Sequence, residues 1–373
     1  MISSYPPALG GTENRAARLA EELAHAGFPV TVLTRRNSGI KPGENNSGPI
    51  ILHLGPEDGG FPGNLLFYCR VFLKLLSLRK TYSVIQNFLL STLTPLCCAA
   101  GALAGKPVFV SLGGVGARGG LRDDSGTGRF ANAKTALLSL FKPFFITPNK
   151  DGLRELLKSG IPATRAKLIP NPAPTAEFTP PAPQEREQLR QELGFNGEIF
   201  LFAGRFVAEK NLPLLAEAWK IFSTAHPSAR LLLAGEGPLK DSMKELVNSL
   251  GIENSVSLPG AVPNLPDYYR AADFFVLPSD TEGMSNALLE AMSCGLVPLV
   301  KDISGCAPVE DGKTGLKTPA AASPGQFAAL LERAAALDPH ARQKISAASA
   351  RLMRESYSIE KITAQYLQLY YGA

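Results

Sequence analysis

The chain has 373 residues, 45% hydrophobic and 19% charged, which is enough for two cores and excludes low-complexity, collagen-like and disordered classes. Its net charge of +5 is unevenly spread: residues 1–172 carry 20 Lys and Arg against 10 Asp and Glu, and residues 173–373 carry 18 against 23. Five cysteines (Cys69, Cys97, Cys98, Cys294, Cys306), odd in number and without C-x-x-C spacing, argue against a disulfide framework or zinc site and fit reduced thiols in the cytoplasm. The basic first half suits a phosphate-bearing substrate, an anionic membrane surface or nucleic acid. Nucleic acid is set aside, because no aromatic-interleaved basic patch or helix-turn-helix pattern accompanies the charge.

The chain opens M-I-S-S-Y-P-P-A-L-G-G-T-E. A loop of prolines and the Gly10-Gly11 pair leads into a helix over Thr12–Ala26, with Ala16, Leu19 and Leu23 on one face and Gly27 closing it. Phe28–Thr34 reads as a strand. Only Met1–Ser4 remain for a strand ahead of the Gly-Gly turn, so that strand is either very short or begins upstream of Met1. Ile50–Leu54 reads as a strand and Phe61–Lys80 as an amphipathic helix bearing Arg70, Lys74, Arg79 and Lys80. That helix either covers a sheet with its basic face in water or lies on a membrane surface. Ser83–Gly105 carries no charge, but its polar residues and Pro95 make it a buried strand and helix rather than a membrane span. Pro107–Leu112 and Phe144–Thr147 are further strands, the first followed by the glycine-rich Gly113–Gly120. A helix running to Gly160 and a strand beginning at Lys167 complete the half. Prolines 170, 172, 174, 180, 181 and 183 then read as a semi-rigid linker at a domain boundary.

The second half repeats strand–helix units, with strands at Ile199–Ala203, Ala229–Ala234, Val256–Leu258, Asp273–Leu277 and Leu296–Val300. The glycine-rich or charged loops all follow strand C-termini, the edge where open parallel sheets bind ligands. Arg205, Lys210, Gly235, Glu282 and Glu290 therefore share one crevice in this reading. Arg205 and Lys210, on the loop that Gly204 opens, supply the positive charge a diphosphate needs. Asp273–Val300 is the centre of the pattern: strand, polar loop with Glu282, helix with Glu290 eight positions later, C-cap glycine Gly295, strand. The free N–H groups at that helix start favour an anion or sugar oxygens. Gly235-Glu236-Gly237 lacks the third glycine of a dinucleotide fingerprint, and Gly312-Lys313-Thr314 lacks the first glycine of a P-loop, so NAD binding and P-loop hydrolysis are rejected. Ser356–Tyr371 reads as a final helix able to cross back to the first domain.

Gly10-Gly11-Thr12-Glu13, G-R-x-x-x-E-K-N from Gly204, G-E-G-P-L from Gly235, and Glu282-Gly283 with Glu290 and A-M-S-C-G together resemble glycosyltransferase family 4. D-G-K-T-G from Asp311 and Y-S-x-E with Tyr366 fit the same family. The resemblance implies an α/β GT-B fold: two Rossmann-like parallel-sheet domains facing a central cleft, with a C-terminal helix crossing back to the first. It places an acceptor-binding domain at residues 1–172 with 356–373, and a nucleotide-sugar donor domain at 173–355. It implies a retaining, metal-independent hexosyltransferase whose co-substrate is a UDP- or GDP-sugar, with no further cofactor and a glycan or lipid-linked acceptor. Arg205 and Lys210 would hold the diphosphate, Glu282 the transferred sugar, and Gly283, Met284, Ser285 and Asn286 its hydroxyls and phosphate. Glu290 would bind the ribose, the loop around Val262 would meet the base, and Gly10 and Gly11 would close on the phosphates. The chain departs from the family with Ser111-Leu112-Gly113-Gly114 where many relatives carry a His, and Pro308-Val309 where Pro-Glu is common. The expected location is the cytoplasm, peripheral on the inner face of the membrane. The alternatives are a non-catalytic GT-B nucleotide-sugar-binding module and a sugar-nucleotide epimerase. Acceptor choice is assigned to the loops Gly39–Gly63 and Gly113–Gly128.

Overall fold

A computed structural model describes residues 1–2, 11–35, 48–55, 60–113, 138 and 140–372. The chain divides into two compact units, Met1–Asn171 with Ile359–Ala373, and Pro172–Ser358.

In the first unit the elements run α1 (Gly11–His25), β1 (Thr31–Thr34), β2 (Ile50–His53), α2 (Phe61–Ser77), β3 (Ile85–Phe88), α3 (Thr94–Ala104), β4 (Val108–Ser111), β5 (Phe144–Thr147), α4 (Lys150–Lys158) and β6 (Ala166–Leu168). The strands are parallel, in the orders β2-β1 and β3-β4-β5-β6. Met1 and Ile2 join the two groups. Ile2 pairs with both Leu33 and Asn87, and its N–H and C=O bond to Gln86 O and Phe88 N at 2.8 and 2.9 Å. The short first strand expected over Met1–Ser4 is thus represented by these two residues between β1 and β3, with Ser3 and Ser4 outside the described residues.

Strand alternation decides which face each side chain serves. Val108, Val110 and Phe145 point to one face, where Phe67, Val71 and Leu75 of α2 and Cys97 of α3 cover them. Phe109 and Ile146 point to the other, under Leu19 and Leu23 of α1 and Ile362 and Tyr366 of the last helix. Both faces are apolar because both are covered, as parallel sheets require. The last helix runs Ile359–Tyr371 and packs on α1, so the chain does return to the first unit. It starts later than Ser356. A π turn spans Met353–Tyr357, and Ser358 bridges to Ala173, whose N–H donates to Tyr357 O at 2.7 Å. Residues 356–358 therefore belong to the second unit.

The proline-rich segment is not a free spacer. Ala173 and Phe178 are buried in the second core, and the Phe178 ring packs edge-on to Tyr269 at 5.6 Å. Two apolar residues among the prolines hold the segment down, and Pro183 already begins helix α5 (Pro183–Glu192).

The second unit continues with β7 (Ile199–Ala203), α6 (Leu212–Ala225), β8 (Arg230–Ala234), α7 (Lys240–Leu250), β9 (Val256–Gly260), α8 (Leu265–Ala271), β10 (Phe274–Leu277), α9 (Asn286–Ser293), β11 (Val297–Lys301), β12 (Leu316–Thr318), α10 (Pro324–Ala335) and α11 (Pro339–Leu352). The sheet is parallel with order β12-β11-β10-β7-β8-β9. From β7 the chain builds outward to β9, then returns beside β7 with β10 and builds the other way. The order thus reverses between β7 and β10, which leaves a crevice at their C-terminal ends. Phe200 of β7 stacks on Phe274 of β10 at 4.6 Å, with Trp219 and Phe222 of α6 each 5.3 Å away, so aromatic packing fixes the two strands that flank the crevice. Among the described residues no helix is long and apolar enough to cross a membrane.

Candidate active site

Two loops leave the reversal point, and each is fixed by its own chemistry. The loop after β7 is pinned along its backbone. Gly204 N donates to Ala234 O (3.0 Å), Phe206 N to Glu236 O (2.8 Å), and Leu239 N to Phe206 O (3.1 Å). The Phe206 ring is fully buried against Phe202. Between these anchors the Arg205 side chain is exposed and has no ion-pair partner among the described residues. Close approach of the neighbouring loop depends on glycine. A Cβ on Gly235 would stand 1.8 Å from Gly204 O, and one on Gly237 2.5 Å from Phe206 O.

The same loop ends in a single turn, Ala208–Lys210, and then Asn211 in the left-handed region (φ 46°), which Asn tolerates. Asn211 does two jobs. Its side-chain oxygen accepts from Leu214 N at 3.4 Å and caps α6, and its amide donates to Asp280 Oδ1 at 3.0 Å.

Asp280 belongs to the second loop, after β10. Its N–H donates to Glu209 O at 2.9 Å, and its carboxylate also takes the Lys301 ammonium at 2.5 Å. Glu282 follows. Its Oε1 lies 2.5 Å from Lys210 Nζ and accepts from Ser279 Oγ at 2.8 Å. The Lys210 and Glu282 side chains are only 16% and 12% exposed, so the pair is largely out of water. Behind Glu282, Gly305 leaves room that no other residue would: a Cβ there would stand 2.3 Å from Glu282 Cβ.

The second loop runs into α9. Ser285 caps it, accepting from Leu288 N at 3.3 Å, and Met284 is buried in the core, so at these positions the backbone is what faces outward. Glu290, on the second turn of α9, accepts a hydrogen bond from the Tyr269 hydroxyl at 3.2 Å. Tyr269 is buried, and that burial, with Glu290 beside it, pushes the phenol well above its ordinary value. It stays a donor at neutral pH. Past Gly235, in the loop after β9, Val262 is half-buried on the core, and the Glu236–Lys240 ion pair (2.6 Å) lies against Gly260 at the end of that strand.

The second unit thus gathers Gly204, Arg205, Lys210, Gly235, Glu282, Gly283, Met284, Ser285, Asn286 and Glu290 around one sheet edge and the helix start that follows it. Gly11 opens α1 in the first unit, and Gly10 lies outside the described residues. Sequence reading missed Asn211, Ser279, Asp280, Tyr269, Lys301 and Gly305. Gly305 left a signal, as the glycine of the loop after β11. The others are common residue types whose partners are distant in sequence. Among the described residues no three His, Cys, Asp or Glu cluster to hold a metal ion.

In the first unit a cavity of about 180 Å³ lies beside Ile2 and the end of β3, lined by Glu13, Arg35, Phe67, Tyr68, Asn87 and Ser91. The Arg35 guanidinium lies 4.5 Å over the Phe67 ring and donates to Asn64. Ser111, in place of the family's His region, is buried and accepts from Gln86 Nε2 at 3.0 Å.

Two family models divide the chain between them: "Glycosyl transferases group 1" matches residues 185–351 and "Glycosyl transferase 4-like domain" matches residues 10–172. The chain belongs to the family-4-type glycosyltransferases. This glycosyltransferase chain is 36% identical over 156 residues to mannosylfructose-phosphate synthase of Agrobacterium fabrum, covering 39% of the chain and 34% of that protein. It is 30% identical over 166 residues to a GDP-mannose-dependent phosphatidylinositol monomannoside mannosyltransferase of Mycolicibacterium smegmatis, covering 41% and 43%. The match spans less than half the length of either relative. The fold matches Anabaena HepE, solved with UDP and glucose, at a TM-score of 0.81 and 18% identity over 100% of this chain and 98% of that one. The architecture is therefore GT-B, with two Rossmann-like α/β domains.

Proposed function

We propose that this chain transfers a hexose from a nucleotide diphosphate sugar, UDP- or GDP-linked, to a glycan or lipid-linked acceptor, with retention at the anomeric carbon and without a metal ion. The observation that carries the reading is the Lys210–Glu282 pair at the reversal of strand order, on the same loops as Arg205, which has no ion-pair partner among the described residues, and the start of α9. The chemistry needs charge stabilisation where the bond to the diphosphate breaks. Arg205 and Lys210 supply two cations there, and the N–H groups of Gly283, Met284, Ser285 and Asn286 supply aligned dipoles. These groups do for the departing nucleotide what a divalent cation does elsewhere.

In this reading Glu282, held by Lys210 and Ser279, receives sugar hydroxyls, and Glu290, held by Tyr269, receives the ribose. Val262 lies at the base. The first unit takes the acceptor, with the cavity beside Arg35 as its pocket, and its basic surface faces an anionic membrane on the cytoplasmic side. The two relatives, a mannosylfructose-phosphate synthase and a GDP-mannose-dependent mannosyltransferase, support a sugar-transfer role. HepE, crystallised with UDP-glucose, supports a nucleotide-sugar donor as far as fold likeness goes.

A thermal-shift screen with UDP, GDP and ADP and their sugars tests donor binding. Release of free nucleotide diphosphate across an acceptor panel, in the presence of EDTA, tests transfer and metal independence. The anomeric configuration of the product, read by NMR, tests retention. Donor binding with no transfer to any acceptor would favour a binding module, and donor conversion without acceptor an epimerase.

A further inference from the structure

Lys301 is a charged residue where the fold asks for an apolar one. It ends β11, whose other four residues, Val297, Pro298, Leu299 and Val300, are apolar and buried, and its own side chain is 3% exposed. Taking an ammonium out of water is costly. Asp280, its only ion-pair partner among the described residues, is half exposed, so water would satisfy that carboxylate without it. An apolar side chain in place of such a buried charge is commonly neutral or stabilising, so folding stability does not account for this lysine. The position of its partner does. Asp280 reaches both sides of Lys210: its N–H donates to Glu209 O at 2.9 Å, and its Oδ1 accepts from Asn211 Nδ2 at 3.0 Å. Two residues after Asp280 comes Glu282, the anion that Lys210 meets. The same Oδ1 takes the Lys301 ammonium at 2.5 Å. One carboxylate oxygen therefore joins the loop after β7, the loop after β10 and the end of β11, which are neighbouring strands in the sheet.

We propose that Lys301 is a positioning residue for the transfer reaction: through Asp280 it fixes the backbone on either side of Lys210 and so sets the Lys210–Glu282 contact. Buried as it is, it touches no substrate itself. The inference rests on the proposed function for the reaction it serves, while the hold on Lys210 needs no donor. Without the ammonium, the Asp280 carboxylate turns toward water and its clasp on Asn211 loosens. Lys210 is then no longer held where the bond to the diphosphate breaks, and a catalytic group out of place loses most of its effect.

Lys301→Met keeps much of the side chain's length and removes its charge. Thermal unfolding, titration with UDP or GDP, and nucleotide release compare the full-length variant with the parent. The thermal midpoint should hold or rise. Nucleotide affinity should stay within about twofold while kcat falls at least about tenfold, the split expected when a group is misplaced only for the transition state. A lysine that merely filled the fold would move the midpoint and leave the kcat of the folded chain alone. Asn211→Gly, which accepts φ 46° and costs little as a cap, removes the next link. It should lower kcat as K301M does, and the double variant K301M/N211G should lose little beyond the larger single loss, because both act along one route. A further measurement needs no turnover. Acetylation of Lys210 by acetic anhydride, followed by mass spectrometry, should be slow in the parent and several-fold faster in K301M, with the exposed Lys313 as internal reference. The proposal is overturned if folded K301M keeps the parent kcat, or if K301M melts lower while N211G turns over as the parent does. It is also overturned if the two losses multiply, or if Lys210 is acetylated at the same rate in both chains. A parent chain that releases nucleotide from no donor would instead count against the proposed function, and the acetylation rates would still decide whether Lys301 holds Lys210.

Discussion

Lys210 Nζ lies 2.5 Å from Glu282 Oε1, and the two residues reach that contact from the two strands between which the second sheet reverses its order. The ammonium of Lys210 cancels the Glu282 charge, and in the proposed function its remaining N–H donors would meet an incoming diphosphate.

Lys210→Ala should therefore act twice. It leaves a mostly buried carboxylate without its ammonium partner, costing about 1–3 kcal/mol of stability. It also removes a donor to the departing phosphate, costing roughly 10²–10³ in kcat. The double variant K210A/E282Q should regain most of the thermal midpoint and none of the turnover. Thermal unfolding beside a nucleotide-release assay separates the two effects. Full turnover in K210A would remove the leaving-group role.

Arg205 makes the opposite prediction. Its backbone neighbours are pinned, but its side chain is exposed and unpaired among the described residues. Arg205→Ala should change stability by no more than about 0.5 kcal/mol. Affinity for UDP or GDP should fall, and its dependence on salt should flatten because one phosphate-facing charge is gone. Calorimetric titration at two ionic strengths reads both.

The contrast between these cations shows what the sequence carries. The strand–loop–helix rhythm of the second half was legible because its two central strands, Ile199–Ala203 and Phe274–Leu277, are uninterrupted buried apolar runs. Ile199–Ala203 and Phe144–Thr147 come out residue for residue, and the C-cap at Gly295 is seen as φ 78°. That Lys210 and Glu282 converge followed from the rule that ligands sit where strand order reverses. What ties them there did not. Lys301 is 3% exposed and holds Asp280 from a different strand, and Tyr269 holds Glu290 from a different helix. Such contacts join positions about twenty residues apart, and no period or spacing marks them. The proline segment does carry the boundary between the two units, at Asn171–Pro172, but its course was not legible: proline frequency describes chain stiffness, while Phe178 decides where the stiff chain lies. Gly10 and most of the two loops given the acceptor choice fall outside the described residues.

Gly305→Ala should damage the site without touching any ligand. The new methyl would stand 2.3 Å from Glu282 Cβ and 2.6 Å from Glu282 O, so the loop must move. The expected cost is about 1–3 kcal/mol, together with loss of donor binding. Gly235→Ala should do the same through Gly204 O at 1.8 Å. Gly325→Ala, in the first turn of α10 with nothing within 4 Å, is the control and should be neutral or slightly stabilising. Thermal unfolding with and without UDP compares the three.

The buried thiols and phenols set an alkaline limit. Burial pushes Cys98 and Cys294 up to about 12 and raises Cys97 and Cys306 further, and it lifts Tyr269 and Tyr370 well above the usual phenol range. In each case the folded value exceeds the unfolded one. The unfolded chain then loses its protons first as pH rises past the ordinary thiol value. Stability from these groups is complete below that point and declines above it, by up to about 1.4 kcal/mol per pH unit for each group that titrates only in the unfolded chain. Urea midpoints should fall between about pH 9 and 11. In the native state a disulfide exchange reagent should meet one fast thiol, Cys69, and four more only after unfolding.

Tyr269→Phe isolates the Glu290 contact. The ring is held at 5.6 Å by Phe178 and at 5.9 Å by Phe275, so phenylalanine fills the same space and the fold should barely notice. What is lost is the Tyr269 hydroxyl that donates to Glu290 Oε2. A hydrogen bond of this kind is worth about 0.5–1.5 kcal/mol, which appears as a roughly two- to tenfold weaker affinity for UDP or GDP if Glu290 receives the ribose. The same substitution should cost less with the 2′-deoxy or 3′-deoxy nucleotide, whichever lacks the hydroxyl that Glu290 takes, because the misplaced carboxylate then has nothing to lose. Titration of parent and variant with the ribo and both deoxy forms completes the cycle. Equal losses for all three nucleotides would mean that Tyr269 supports the loop as a whole and that Glu290 does not read the sugar of the nucleotide.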